Sequence, residues 1–460
     1  MKRNEQYSDH KSRLYPELHI PLDNERVFAH TVTFQVTDSC NLACTYCYQI
    51  NKKTRFMTLE TGKKMVDLIF DEEKNNGYVT TKNSPFIILD FIGGEPLMNI
   101  QVIDGIVDYF IQRAFLEEHP WATRYIISIC SNGVLYFTEP VQKFLKKHRN
   151  HLSFNITIDG NKELHDSCRI FPNGEPSYDL AVAAAKDWMD NYGYMGSKIT
   201  IAPGNVQYLY DALTHMISLG YTEINANCVF EEGWTLEHAK ELYNQIKKFS
   251  DYLLKNNLED EIYCSLFDKF SFVPKSLDDV QPWCGGTNSA MLSCDPDGEL
   301  YPCIRYMESS LGEKQKPMKI GHVDYGIYKT QEELDIEKCM NCVTRRTQVS
   351  DKCFYCPIAT GCADCAAYNY QVHGTVHSKA DFICIMHQAR ALANIYYWNS
   401  ICEKRKMSER MLCYVPKKWA IDIVGEKEFK MLLDLSGGAL GVNPYEKEFL
   451  EGCLKNESNI

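Results

Sequence analysis

Six short apolar runs, with helical-period segments between them, constrain the first half of the chain more than any other feature. They read HTVTFQVTD (30–38), PFIILDFIGGEP (85–96), RYIISICSNG (124–133), LSFNITIDG (152–160), SKITIAPGN (197–205) and YTEINANCVF (221–230). Runs of this kind, mostly without clean alternation, predict a parallel sheet covered by helices on one side. The intervening TLETGKKMVDLIFDEE (58–73) reads as a helix capped by Thr58, and IQVIDGIVDYFIQRAF (100–115) as an amphipathic one. Four of the strands end in polar or glycine-bearing loops, GGEP, SNG, IDG and APGN. Closed parallel sheets place their chemistry at the C-terminal ends of the strands, so these loops fall on one rim. The loop CNLACTYCYQ (40–49), which follows the first strand, lies on the same rim.

Twenty cysteines in 460 residues need a reason. The N-terminal stretch has no apolar run of the signal-peptide kind, and no run of about eighteen apolar residues predicts a membrane span. A cytoplasmic protein is expected, in which cysteines do not build a disulfide framework. Cys130, Cys168, Cys228 and Cys264 sit singly and read as core residues. The others cluster, which points to metal. A net charge of −12 argues against a nucleic-acid partner, whose phosphates need a basic face.

Three cysteines occupy eight positions at Cys40, Cys44 and Cys47. A structural zinc site takes four ligands, and the next cysteine is Cys130. A redox pair needs only CxxC and leaves Cys40 without a role. Three thiolates on one loop suit a [4Fe–4S] cube, each reaching one iron corner and leaving the fourth iron open.

CxxxCxxC with Tyr46 before its last cysteine resembles the signature loop of radical S-adenosylmethionine (SAM) enzymes. Gly93, Gly94, Glu95 and Pro96 resemble that family's GGEP, which holds the methionine amino group. Ser131 and Asn132 resemble its ribose-contacting segment, and Thr157 and Asp159 its S-x-D-G strand end. Arg169 stands where the family places an arginine on the cofactor carboxylate, and Tyr46 is expected beside the adenine. The resemblance covers roughly residues 30 to 385. It implies an α/β fold, a partial (β/α)6 TIM-like barrel, with SAM chelating the open iron. Cleavage of its S–C5′ bond by a cluster electron would give a radical that takes hydrogen from a substrate, while the protein supplies positioning and exclusion of water.

A second cysteine region follows. Cys284, Cys294, Gly298 and Cys303 give C-x13-G-x4-C; Cys353, Cys356, Cys362 and Cys365 give C-x2-C-x5-C-x2-C; Cys384 comes after. A zinc ribbon needs about 15–20 residues between its CxxC pairs, and five separate Cys356 from Cys362. The pattern is similar to the SPASM domain of peptide-modifying radical enzymes, apart from a last inner gap of two residues where that family usually has three. The resemblance implies two auxiliary [4Fe–4S] clusters, three in all. Cys353, Cys356, Cys362 and Cys384 would hold the outer one; Cys284, Cys303 and Cys365 would hold the inner one. Its fourth ligand is open between Cys294, which is favoured, Cys339, Cys342 and none. The expected division is 1–29 as an N-terminal extension, 30–257 as barrel, 258–400 as SPASM domain with bridging helices, and 401–460 as a segment of unassigned role.

SPASM enzymes act on peptides and proteins, so a ribosomally made, cysteine-containing precursor and an electron donor such as ferredoxin or flavodoxin are the expected partners. Sulfatase maturases carry an aspartate after the YPC cysteine, where this chain has Ile304. TRRTQ, CFYCPIATGC and DFICIMHQARALANIYYWN resemble maturases paired with CXXX-repeat peptides, which implies a Cys sulfur-to-carbon thioether. Carbon–carbon crosslinking, formylglycine-type maturation and a three-cluster electron carrier are the alternatives. About thirty residues precede the first strand, too few for the leader-binding winged helix that often precedes such barrels, so none is expected there.

Overall fold

The computed structural model describes residues 29–82, 84–231, 233–276, 284–287, 289–438, 441 and 443. The expected N-terminal extension, apart from Ala29, and the end of the C-terminal segment lie outside them. β1 (Ala29–Thr37), β2 (Phe86–Gly93), β3 (Tyr125–Ser131) and β4 (Leu152–Ile156) lie side by side in that order, all parallel. Between them run α1 (Leu59–Phe70), α2 (Ile100–Leu116) and α3 (Glu139–His148). α4 (Lys162–Cys168) and α5 (Tyr178–Asn191) lead to β5 (Ser197–Ile201), α6 (Leu209–Ser218), β6 (Glu223–Cys228), α7 (Leu236–Lys255) and the two-residue β7 (Tyr263–Cys264).

All six predicted runs are strands, but they do not form one ladder. β5, β6 and β7 make a separate parallel sheet, and a lone bridge between Thr157 and Lys198 joins it to β4. Asp159 gives the physical reason. Its Oδ1 accepts the Thr200 N–H at 3.3 Å, so a side chain serves where a ladder carbonyl otherwise would.

The strand pattern also continues beyond residue 258. β8 (Met291–Cys294), from the cysteine-rich region, pairs parallel with the outer edge of β1, from Thr31–Met291 to Phe34–Cys294. β9 (Glu299–Tyr301), β10 (Gly321–His322) and β11 (Gly326–Ile327) extend that sheet antiparallel. An uncovered β1 would present a row of unpaired backbone groups, which the hairpin satisfies. Its turn is the DPDG segment: the Asp295 carboxylate accepts from the N–H of Asp297 and of Glu299, each at 3.0 Å.

Local chemistry explains the packing. Thr58 Oγ1 accepts the Thr61 N–H at 3.0 Å and starts α1. Met65, Val66, Leu68 and Ile69 of α1 are buried, and α1 packs on α2, which buries Ile103, Ile106, Val107 and Phe110. Phe34 and Phe91 stack beneath them with centroids 5.1 Å apart. Along β3 the buried residues Tyr125, Ile127, Ile129 and Ser131 alternate with half-buried Ile126, Ser128 and Cys130. That face carries a polar row: buried Thr33 and half-buried Asp90, Ser128 and Ser153 stand in register across β1 to β4. Of the four cysteines read as core, Cys264 is buried, whereas Cys130, Cys168 and Cys228 are half-buried. Cys130 belongs to the polar face, and Cys168 ends α4 beside the cysteine loop.

The rest of the chain forms short helices α8 (Glu308–Leu311), α9 (Gln331–Asn341), α10 (Arg345–Gln348), α11 (Asp351–Phe354) and α12 (Ala366–His373), then α13 (Cys384–Lys404) and α14 (Lys417–Leu435). α13 lies against α7 and α14. Asn394 fastens it to the strand end: its Nδ2 donates to Leu266 O at 2.9 Å and its Oδ1 accepts from Asp268 N at 2.7 Å. Among the described residues no helix is long and apolar enough to cross a membrane.

Candidate active site

The cysteine loop leaves β1 at Asp38, a buried carboxylate paired with Arg55 Nε at 2.6 Å. Two backbone bonds sew the loop to the end of α4: Ala43 N donates to Ile170 O at 2.7 Å and Thr45 N to Cys168 O at 2.9 Å. Leu42 is buried beneath it. Burial pushes the Cys40 and Cys44 thiols up and neighbouring thiolates add to this, while Lys52 for both and Arg169 for Cys44 act the other way.

GGEP braces this loop from β2. Gly94 N donates to Thr37 O at 3.1 Å and Glu95 N to Ser39 O at 2.9 Å. A Cβ at Gly94 would stand 2.3 Å from Ser39 O, so only glycine permits this approach. Pro96 opens the short turn that follows. Glu95 is buried and fully engaged, accepting from Ser131 Oγ at 2.8 Å, Asn132 N at 2.8 Å and Leu97 N at 3.1 Å. Burial raises its carboxyl above the usual range, and the three donors oppose that rise. Asn132 Nδ2 reaches Asn41 Oδ1 at 2.6 Å and lies 4.0 Å from Cys40 Sγ, so the β3 loop contacts the cysteine loop directly. Thr157 N donates to Ser131 O at 3.0 Å, which carries the rim on to β4.

Tyr46, Asp159 and Arg169 form one buried network. The Tyr46 hydroxyl donates to Asp159 Oδ2 and accepts from Arg169 Nη1 at 2.8 Å, and the two charges are 3.9 Å apart. Burial opposes the Arg169 charge, but Tyr46, Asp159 and Cys44 outweigh it. Its Nε is buried without a partner, as a donor waiting for an anionic group would be. His165, four residues before Arg169, and Ser177, which sequence did not single out, hold this network. Asp159 N donates to His165 Nδ1 at 3.3 Å, His165 Nε2 lies 3.1 Å from Ser177 Oγ, and that hydroxyl donates to Arg169 O at 2.6 Å.

The later cysteines gather in two groups. Cys353, Cys356, Cys362 and Cys384 line one cavity of about 120 Å³ with Lys379. Cys284 and Cys303 converge on Gly286, where an added Cβ would lie 3.5 and 3.4 Å from their sulfurs. Burial, and then the neighbouring Cys284 and Cys365, push the Cys303 thiol up. Cys294 stands apart: it is fully buried in β8, and its thiol donates to Asp295 O at 3.4 Å. Cys339 Sγ faces His377 Nε2 at 3.9 Å, and Cys342 is exposed. Arg305, two residues past Cys303, lies 5.4 Å over the ring of Tyr48, the residue after Cys47. The inner group therefore borders the barrel rim beside the first cysteine loop.

Sequence reasoning missed Arg305 and Lys379, although a cation within five residues of a clustered cysteine was a usable signal. It also missed Asp90, whose Oδ2 accepts from Thr33 Oγ1 at 3.3 Å on the polar inner face. Nothing in the local sequence marks that position, because its partners come from other strands.

Residues 30–165 match the family described as a 4Fe-4S single cluster domain. The chain is 24% identical over 336 residues to the antilisterial bacteriocin subtilosin biosynthesis protein AlbA of Bacillus subtilis, covering 67% of each. It is 21% identical over 317 residues to the radical SAM cyclopropyl synthase TigE of Paramaledivibacter caminithermalis, covering 65% of this chain and 61% of that protein. Native anSMEcpe with bound AdoMet superposes with a TM-score of 0.58 at 14% identity, covering 82% of this chain and 99% of that one. The fold is that of radical SAM enzymes with a TIM-like barrel and a SPASM domain. Its relatives by sequence are radical SAM peptide maturases, and its neighbours by fold are radical SAM enzymes of the SPASM type.

Proposed function

We propose that the chain is a peptide maturase that joins a cysteine sulfur to a carbon of a ribosomally made precursor. The observation that carries this reading is the contact of Arg305 with Tyr48, which sets the inner cysteine group against the loop of Cys40, Cys44 and Cys47. A substrate at the barrel mouth then lies between the two. In this reading Cys40, Cys44 and Cys47 hold the first [4Fe–4S] cluster. Arg169 offers its unpartnered Nε to the carboxylate of SAM, while Tyr46 and Asp159 fix the guanidinium. Gly93 and Gly94 lend backbone, and Glu95 with Ser131, Asn132 and Thr157 fixes the rim. Bound SAM supplies hydrogen-atom abstraction.

Cys353, Cys356, Cys362 and Cys384 are the proposed ligands of the outer cluster, and Cys284, Cys303 and Cys365 those of the inner one. The separate position of Cys294 supports an inner cluster with three protein thiolates and an iron free for the substrate thiolate. Ile304 offers no proton acceptor after Cys303, which favours thioether formation over formylglycine chemistry.

The test is anaerobic incubation of the reduced, iron-loaded protein with SAM and a cysteine-containing precursor. Formation of 5′-deoxyadenosine with a loss of two hydrogens per crosslink at cysteine is expected. Absence of 5′-deoxyadenosine would overturn the enzymatic reading, and a crosslink that spares the sulfur would overturn the thioether.

A further inference from the structure

Lys379 is a half-buried lysine whose contacts lead to the cavity of the outer cysteine group. Its Nζ donates to Cys362 Sγ at 3.1 Å, to Cys362 O at 3.3 Å and to Ala363 O at 3.4 Å. An ammonium has three donors, and all three are directed at this ligand segment. Lys379 lines the same cavity as Cys353, Cys356, Cys362 and Cys384. Its nearest polar partner is the Cys362 sulfur, and the buried Asp364 carboxylate, which lines the same cavity, also acts on it. Burying a cation is costly without counter-charge; Asp364 supplies part of it, and the three donors aimed at the Cys362 segment fit the further negative charge that thiolates would carry around a cluster. The neighbouring Asn369 keeps the segment in shape, donating to Asp364 Oδ1 at 3.1 Å and accepting from Ala380 N at 2.9 Å.

We propose that Lys379 is a positioning residue that raises the reduction potential of the outer cluster, making it an electron-accepting end of the SPASM domain. The proposal rests on the reading of Cys353, Cys356, Cys362 and Cys384 as ligands of one [4Fe–4S] cube. A cube with four thiolates carries net negative charge, and accepting one electron adds one more without taking up a proton. Hydrogen bonds to the sulfurs, and the charge around them, set the potentials of such clusters. A cation donating to a ligand sulfur stabilises the reduced form more than the oxidised form. The electron comes from oxidation of the substrate as its new bond forms, and leaves to a one-electron acceptor protein.

The test uses the full-length, iron-reconstituted protein carrying Cys40→Ala, Cys44→Ala and Cys47→Ala, so that only the auxiliary clusters contribute. Redox titration followed by electron paramagnetic resonance compares it with added Lys379→Met, Lys379→Gln and Lys379→Arg. Met and Gln are expected to lower the reduced-to-oxidised ratio of the outer cluster at least tenfold at fixed poise, or about 59 mV for a one-electron couple. Arg is expected to stay near the parent, and the inner cluster not to move. A loaded Lys379→Met protein with unshifted potential refutes the proposal alone. Loss of the outer cluster in both Met and Gln, with Arg loaded, replaces potential tuning by a merely structural role. Lack of any auxiliary signal dependent on Cys353 or Cys384 refutes the cluster reading itself.

Discussion

Replacing Asp159 by Asn removes one charge from the buried network while keeping its shape. The amide can still accept from Thr200 N through Oδ1, but its nitrogen cannot accept from the Tyr46 hydroxyl. A hydrogen bond to a charged group contributes about 1.5–3 kcal/mol. Removing one partner of a buried ion pair costs about 3–5 kcal/mol when the other charge is left alone. Arg169 is not left wholly alone, since its Nη1 keeps Tyr46 at 2.8 Å and it lies beside Cys44. The expected loss is therefore about 3 kcal/mol, near the lower end. Tyr46 relays the interaction, so Asp159→Asn in a Tyr46→Phe background should cost about 1–2 kcal/mol less than in the parent. Urea unfolding of the anaerobically prepared protein, followed by far-ultraviolet circular dichroism, measures all four corners of the cycle. A loss below about 0.5 kcal/mol for Asp159→Asn, or additivity of the two changes within about 0.5 kcal/mol, would refute the network.

Glu95→Gln tests burial against hydrogen bonding at the rim. The folded pKa of Glu95 is raised, so its contribution to stability is fully present below the unfolded carboxylate range and is lost as pH rises through the folded value. The stability gap between parent and Glu95→Gln should narrow as pH rises through that window; a widening gap would mean the three donors dominate. Cys303→Ser should lower the iron content of the reconstituted protein and Cys294→Ser should not, because the Cys294 thiol is already spent on Asp295 O. Equal iron loss in both would restore Cys294 as a ligand. Asn394→Ala strands the buried Leu266 carbonyl and the half-buried Asp268 N–H, and should cost about 2–4 kcal/mol in urea unfolding; a change under about 1 kcal/mol would show that α13 is held without this tether.

The six strands, the cap at Thr58 and the shared rim of loops could be read from the chain, because period and turn residues are local properties. So could the triplet Cys40, Cys44 and Cys47, since residues on one loop are near in sequence, whereas the grouping of the later cysteines came from the resemblance. The break between β4 and β5 could not be read this way. It depends on the Asp159 carboxylate meeting Thr200 N, forty-one residues away. The same holds for β8, which joins β1 from about 260 residues downstream and draws the cysteine-rich region onto the barrel edge. The resemblance made Cys303 an inner ligand and left Cys294 as the favoured of several candidates for the fourth place; tertiary structure buried Cys294 in a strand and turned Cys303 toward Cys284 and Cys365. Arg169 was legible as a cation at the right place, but its unpartnered Nε and the hydroxyl fixed between it and Asp159 appear only once three separate segments meet. The sequence alone determined which chemistry is to be proposed for the chain, because candidate ligand types and their local spacing are written consecutively. Only folding decided which of those ligands face one another and which charges stand beside them, because burial and electrostatics depend on distances through space.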